Sequence, residues 1–310
     1  MTTTGELVTA GTERLRAAGD PSPRLDAELL LALAIGVERT AIVAHAAAPV
    51  GPGAESAYLG FLARREAGEP IAYIRGFKEF HGIAIGTDPR ALIPRPETEG
   101  LVDAAVREVM HRLTATPPGA GGSGRLAGHA ARVRVIDVGT GSGAIAIALA
   151  VELRRRGVPG DEVALVALDS SSEALDLARE NAVGQAVADR ITFIGGDLLP
   201  PSPTTEPWHV VIANLPYVRT ALLDPAPAPT SHEPLVALDG GADGLAVIDR
   251  LLERLPSGLE FDGVALLEIG SDQGVAIVEL VERRLPGWSC HVESDLAGLP
   301  RIARIGRAAA

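Results

Sequence analysis

Three clusters along the chain carry residue types that could grip one ligand. Asp137-Val138-Gly139-Thr140-Gly141-Ser142-Gly143 closes an apolar run, RVRVIDVG, and leads into a helical one, GAIAIALAVELRR. Glycines at such a junction permit a tight turn and let the backbone approach a ligand closely. The helix that follows presents N–H groups that suit a carboxylate. Asp169 ends a second run, VALVALD, where a carboxylate can accept hydrogen bonds from both hydroxyls of a ribose. A plainer role is to cap SSEALDLAREN, and both roles hold together if Ser170 or Ser171 is the cap. Asp197-Leu198 follows a third run, ITFIGG. An acidic side chain there can accept from an adenine amino group; an ordinary turn aspartate is the alternative. Taken together the clusters suit an adenosine-containing ligand. NAD(P) is the rival, but the loop reads G-x-G-x-G and lacks the last glycine of the dinucleotide fingerprint.

Asn214-Leu215-Pro216-Tyr217 follows a fourth run, WHVVIA. It resembles the (N/D)-P-P-(Y/F) motif of methyltransferases acting on planar nitrogen. An amide or exocyclic amine nitrogen is a poor nucleophile because its lone pair is delocalised. Two acceptors aimed at its two N–H groups orient it and favour lone-pair character. The Asn214 side-chain oxygen and the carbonyl of Leu215 are the two candidates. Pro216 biases residue 215 to an extended backbone, and the Tyr217 ring can stack on a flat amide and shape a pocket beside a cation.

These clusters need elements that end beside one another. From 132 onward, short apolar runs rich in Val, Ile and Leu alternate with helical periods, as expected for a mostly parallel sheet covered by helices on both faces. Ligands in such sheets bind at the carboxyl ends of the strands, where all the residues above fall. SCHVESDL and RIARIGR are expected to close the sheet as an antiparallel pair. Before residue 70 the sequence reads as helical: LDAELLLALAIGV follows Pro21 and Pro23, and YLGFLARREAGEP ends at Gly68 and Pro70. IAYIRGFKEFHGIAIG has the glycine-broken runs of a hairpin, and a helix follows Pro96. The implied layout is a helical domain over 1–73, a hairpin linker over 74–98 and a catalytic domain over 99–310. A Pro/Gly/Ser stretch at 115–131 is expected to be a flexible surface loop.

Composition narrows the class further. The net charge of −12 opposes broad contact with phosphate backbones, so direct nucleic-acid binding is not expected. The single cysteine, Cys290, allows no internal disulfide and fits a reducing compartment. The N-terminus lacks the pattern of a secretory signal. No run reaches the about 18 apolar residues of a spanning helix, so a cytoplasmic protein with no membrane contact is expected. The His residues are scattered, and His232-Glu233-Pro234 has no further ligands nearby, so no metal is expected. Arg95 and Glu97 read either as a local ion pair or as part of an active-site wall, and Glu268 as structural.

The order of segments IAYIRGFKEFHGIAIG, ALIPRPETEGLVD, DVGTGSGAIAIALA, ALDSSSEALDLAREN, NLPYV, HEPLVALDGGADGL and LLEIGSDQG resembles the HemK/PrmC family over nearly the whole chain. Pro94 to Glu99, P-R-P-E-T-E, is the most specific of these. The resemblance implies a Rossmann-like class I methyltransferase with a seven-stranded sheet and a small N-terminal helical domain that recognises the substrate. It implies S-adenosylmethionine as cofactor, and as substrate the glutamine of a Gly-Gly-Gln motif in a class-I peptide release factor, methylated on its side-chain nitrogen. By matching position, Asp137, Gly139, Thr140, Gly141, Ser142, Gly143, Asp169, Asp197, Leu198 and Asn214 would hold the cofactor. Asn214 to Tyr217 would hold the substrate amide, with Asn214, Pro216 and Tyr217 catalytic. The chain departs from the family at Leu215, where proline is usual. N-L-P-Y also occurs in RNA adenine methyltransferases, which makes adenine-N6 methylation the competing activity. A cofactor-binding relative with another protein target is a third reading.

Overall fold

The computed structural model describes residues 1–115, 133–199, 206–223 and 232–308. The stretch expected as a loop at 115–131 lies outside these, apart from Ala115, the last residue of a helix. The chain forms two compact units. One comprises 1–78, 87–89 and 224–233, and the other 79–86, 90–223 and 234–310.

The first unit is built of α1 (Thr4–Ala17), α2 (Pro23–Ile35), α3 (Arg39–Ala44), α4 (Pro52–Glu66) and α5 (Ile71–Arg75). Thr3 and Glu6 form a reciprocal capping box that satisfies the first turn of α1. Gly36 ends α2 in the left-handed conformation. Leu7, Leu15, Leu30, Leu31, Tyr58 and Leu62 form the core. Gly11 is fixed by packing: a Cβ there would stand 1.9 Å from the Tyr58 hydroxyl, which itself donates to the Leu7 carbonyl at 3.2 Å. Arg65 lies between the buried carboxylates of Asp20 and Asp26, 2.8 Å from each.

The chain then forms a hairpin, β1 (Phe77–Phe80) and β2 (Ile83–Gly86). His81 and Gly82 join the strands, both at positive φ, as a two-residue turn of matching twist requires. A short 3₁₀ turn at Pro96–Thr98 leads into α6 (Glu99–Ala115).

The second unit carries β3 (Val133–Val138), α7 (Ala144–Arg155), β4 (Val163–Asp169), α8 (Ser172–Gly184), β5 (Ile191–Gly195), β6 (Trp208–Ala213), α9 (Ala246–Leu252), α10 (Leu255–Gly258), β7 (Leu259–Glu268), α11 (Gly274–Arg284), β8 (Trp288–Ser294) and β9 (Pro300–Arg307). The seven sheet strands run in the order β5-β4-β3-β6-β7-β9-β8. The pairs from β5 through β7 are parallel, and β9 pairs antiparallel with both β7 and β8. Alternate side chains explain why these strands read as unbroken apolar runs. Val135, Val210, Ile212, Val264 and Leu266 join one core with α6 and α7. Ile136, Val211, Ala213, Ala265 and Leu267 join the other with α9 and α11. Strand order reverses between β3 and β6, which opens a crevice at their carboxyl ends. Among the described residues no helix is long and apolar enough to cross a membrane.

Candidate active site

A cavity of about 260 Å³ opens at this switch point, near the small end of ligand-sized clefts. Its wall includes Gly139, Thr140, Gly141 and Ser142 from the glycine loop, Asp169 after β4, Asp197 and Leu198 after β5, and Asn214, Leu215 and Pro216 after β6. Residues far apart in sequence meet because each follows a strand of the same parallel sheet. Asp137, Gly143 and Tyr217 do not line it.

The glycine loop is held from below. Asp137 is fully buried, and its Oδ2 accepts from the Thr140 hydroxyl at 2.6 Å. Burial pushes its carboxyl up to about 7, against the lowering effect of Thr140 and the Ala146 amide. Its other oxygen, Oδ1, lacks a well-formed hydrogen bond. Asp137 is therefore placed as a brace beneath the loop. The amides of Gly139 and Thr140 donate to the Leu168 carbonyl at 2.8 and 2.9 Å, and that of Gly143 to Thr140 at 2.9 Å. These amides are thus already engaged within the protein. Gly143 has φ +80, and a Cβ there would press Ile147 and Ala178 at 2.8 and 3.0 Å, so its place is in the seam between α7 and α8. Asn181 of α8 fastens the loop and the hairpin together: its Nδ2 donates to the carbonyls of Ser142 and Gly86 at 2.9 and 3.0 Å, while its Oδ1 accepts from the Gly86 amide at 2.8 Å.

Asp169 accepts from the Gly141 amide at 2.8 Å and from the Ser171 amide at 2.9 Å. Ser171, not Asp169, caps α8, accepting from the Ala174 amide at 3.1 Å. The Asp169 carboxylate is thereby oriented on the cavity wall, with lone pairs left for a ligand. Asp197 forms an exposed ion pair with Arg250, and both line the cavity. Leu198 is buried at φ +60, a strained conformation for a branched side chain that tends to mark functional sites.

The loop after β6 is laced to a glycine-rich segment. Val218 donates to the Leu238 carbonyl at 3.0 Å and Gly240 to the Val218 carbonyl at 2.8 Å. A Cβ on Gly240 would sit 2.7 Å from the Pro216 carbonyl, and one on Gly244 2.4 Å from that of Tyr217. Gln273, buried, donates to the carbonyls of Tyr217 and Gly244 at 3.1 and 3.2 Å and accepts from the Gly270 amide at 2.8 Å. Leu215 is buried, with its Cδ2 packed over Gly139; it fills space between the two loops. Asn214 Nδ2 donates to the Thr98 hydroxyl at 3.0 Å, which leaves Oδ1 as the acceptor that the carboxamide can offer. The Tyr217 hydroxyl donates to Glu268 Oε1 at 3.2 Å. Burial and the neighbouring carboxylate push the Tyr217 phenol up to about 12. The ring expected to stack on substrate is thus tied to the end of β7.

Asn181, Thr98, Arg250 and Gln273 carried no individual assignment in the sequence, whereas Glu268 did. Gln273 carried no signal beyond its place in LLEIGSDQG. Thr98 sits within the diagnostic P-R-P-E-T-E stretch, yet nothing there singles it out. Arg250 gave none, and Glu268 read as structural.

A doubly wound sheet with a glycine loop, carboxylates on the cavity wall and an Asn-Leu-Pro-Tyr turn at adjoining strand ends defines a class I methyltransferase. A family model described as a methyltransferase domain matches residues 129–233, and one described as the PrmC N-terminal domain matches residues 6–76. The chain is 36% identical over 303 residues to the release factor glutamine methyltransferase of Deinococcus radiodurans, covering 98% of each. It is 36% identical to that of Moorella thermoacetica, over 93% of each chain. It is 33% identical to that of Rhodopirellula baltica, over 96% of this chain and 94% of the relative. The chain belongs to the release factor glutamine methyltransferase family.

Proposed function

We propose that the protein transfers a methyl group from S-adenosylmethionine to the side-chain amide nitrogen of the glutamine in the Gly-Gly-Gln motif of a class-I peptide release factor. The observation that carries this reading is Asn214, whose nitrogen is committed to Thr98 while the residue lines the cavity beside the glycine loop. A carboxamide held in that sense offers an acceptor, which a substrate NH2 group requires.

The residues present fit the cofactor. Glycine at 139 and 141, both at positive φ, puts no side chain on the cavity floor, and a Cβ on Gly139 would meet Leu215 Cδ2 at 3.0 Å. Residues 139–142 would hold the amino-acid portion, Asp169 the ribose hydroxyls, and Asp197 with Leu198 the adenine edge. When bound, S-adenosylmethionine supplies an electrophilic methyl group on a sulfonium.

The Asn214 Oδ1 and the Leu215 carbonyl accept from the two N–H groups of the substrate amide and turn its nitrogen lone pair towards the methyl carbon. Alignment at roughly 3–3.5 Å is the main catalytic work. Leu215 supplies the same carbonyl that proline would, and Pro216 keeps it extended. The surplus proton on nitrogen passes to water, so no strong base is required. The helical region 1–73 would recognise the protein substrate, with 74–98 as linker and 99–310 as the catalytic domain, in the cytoplasm where translation occurs.

The test is incubation with isotope-labelled cofactor and a purified release factor, followed by mass spectrometric mapping. Label on the Gly-Gly-Gln glutamine is expected, with a loss on the order of 100-fold in Asn214→Ala, the size seen when one preorganised polar group at a reacting centre is removed. Label on RNA or DNA, or on no glutamine, overturns the reading.

A further inference from the structure

Two arginines grip the segment that follows β5. Arg250 of α9 donates through Nη2 to Asp197 Oδ2. Arg254, beyond the end of that helix, donates through Nη1 to the Leu199 carbonyl at 3.3 Å. Between the two grips lies Leu198, buried at φ +60. Leu199 is fully buried in the core that also holds Leu251, Leu252 and Leu255. A left-handed backbone at a branched residue persists only where its surroundings fix it. Arg250 and Asp197 both line the cavity, whereas Arg254 does not.

The ion pair fixes more than the turn. An ionised carboxylate accepts through two oxygens and donates through neither. Arg250 occupies Oδ2 of Asp197, and Oδ1 has no hydrogen-bond partner among the described residues. Held this way, the side chain keeps a free acceptor on the cavity wall. Without Arg250, it is a short side chain, 58% exposed, that can turn to water. A purine with an amino group at C6 gives a pinned acceptor the proton it needs. A purine with an oxo group there sets oxygen against carboxylate. We propose that Arg250 is a positioning residue that makes the site select a 6-amino over a 6-oxo purine, by pinning Asp197 with Oδ1 left for the base. Both side chains of the pair are more than half exposed, so the selection should weaken as salt screens it.

The inference rests on the cofactor assignment proposed above and deepens it. The probes are S-adenosylhomocysteine and S-inosylhomocysteine, which differ in the group at C6 of the base and the proton on its neighbouring nitrogen. Each is titrated by calorimetry into wild type, Arg250→Met, Asp197→Asn and Arg284→Met. Wild type should prefer the adenosyl compound about 10- to 100-fold, the value of a hydrogen bond to a charged group. Arg250→Met keeps an apolar stem and removes the charge. It should lower affinity for the adenosyl compound about 3- to 10-fold, the cost of ordering one freed side chain, without weakening the inosyl compound. The preference therefore narrows. Asp197→Asn offers an acceptor or a donor at the same place, so its preference should nearly vanish. Arg284→Met breaks a pair with Asp249 of the same helix but lies outside the cavity, so it should keep the wild-type preference. Added salt should narrow the preference of wild type and leave that of Arg250→Met unchanged. The same preference in wild type and Arg250→Met, an equal narrowing in Arg284→Met, or a full preference in Asp197→Asn overturns the inference while the cofactor assignment stands. Binding of neither compound by wild type overturns both.

Discussion

Gly244→Ala probes the lacing that holds the Asn-Leu-Pro-Tyr turn. Gly244 has φ +78, and a Cβ there would lie 2.4 Å from the Tyr217 carbonyl oxygen and 2.5 Å from Gln273 Nε2. The left-handed backbone alone costs an alanine about 1–2 kcal/mol. The clash cannot be relieved by a flexible side-chain tip, because one partner is backbone and the other is buried and hydrogen-bonded on both sides. Relief must shift Tyr217 or break the Gln273 bonds, at about 1 kcal/mol each. A total of about 2–4 kcal/mol follows from these two contributions. Gly298 supplies the control: it also has φ +78, yet nothing lies within 4 Å of its Cβ position. Gly298→Ala should therefore cost only the backbone contribution. Urea unfolding of both variants gives the difference, and methyl transfer gives its consequence. Because the displaced atoms belong to the turn carrying Asn214, kcat in Gly244→Ala should fall at least tenfold while Gly298→Ala stays near wild type. Equal stability and equal kcat in the two variants would refute the claim that the 240–244 segment clamps the turn.

Other substitutions test separate joints of the site. Asp169→Asn leaves one acceptor where two amides now donate, so cofactor affinity should fall about 10- to 100-fold by calorimetry, and the melting temperature should drop because one amide loses its partner. Asp137 has its carboxyl raised by burial, so the folded state favours the protonated acid. Its contribution to stability is present below about pH 4 and is lost as the pH rises through about 7. Thermal melts of Asp137→Asn and wild type should thus diverge over that window, the variant gaining as pH increases; parallel curves would show that Asp137 is not desolvated. Gly11→Ala should destabilise the helical unit strongly, since its Cβ would fall 1.9 Å from the Tyr58 hydroxyl, and adding Tyr58→Phe should recover only part of that loss in a denaturant titration, because the ring carbon Cζ would still lie 2.9 Å away. Leu215→Pro removes a buried side chain from above Gly139. It should cost about 1–3 kcal/mol in stability while methyl transfer stays within an order of magnitude.

Period and punctuation in the sequence determined the elements. Apolar runs too uniform for a one-sided sheet required helices on both faces, and the glycine loop, Asp169, Asp197 and Asn214 were legible because each directly follows such a run. Their convergence was also implied, since parallel strands put all their carboxyl ends on one side. What local pattern does not encode is which partner a polar side chain finds. Asp137 looks like a ligand residue in the string, but the strand's alternation sends it inward to Thr140. Tyr217 looks like a stacking ring, yet the strand neighbour β7 brings Glu268 to its hydroxyl. Asp197 meets Arg250 across 53 residues, and Asn214 meets Thr98 across 116. Hydrogen bonds and ion pairs of that span depend on sheet order and helix placement, which only the assembled tertiary structure decides.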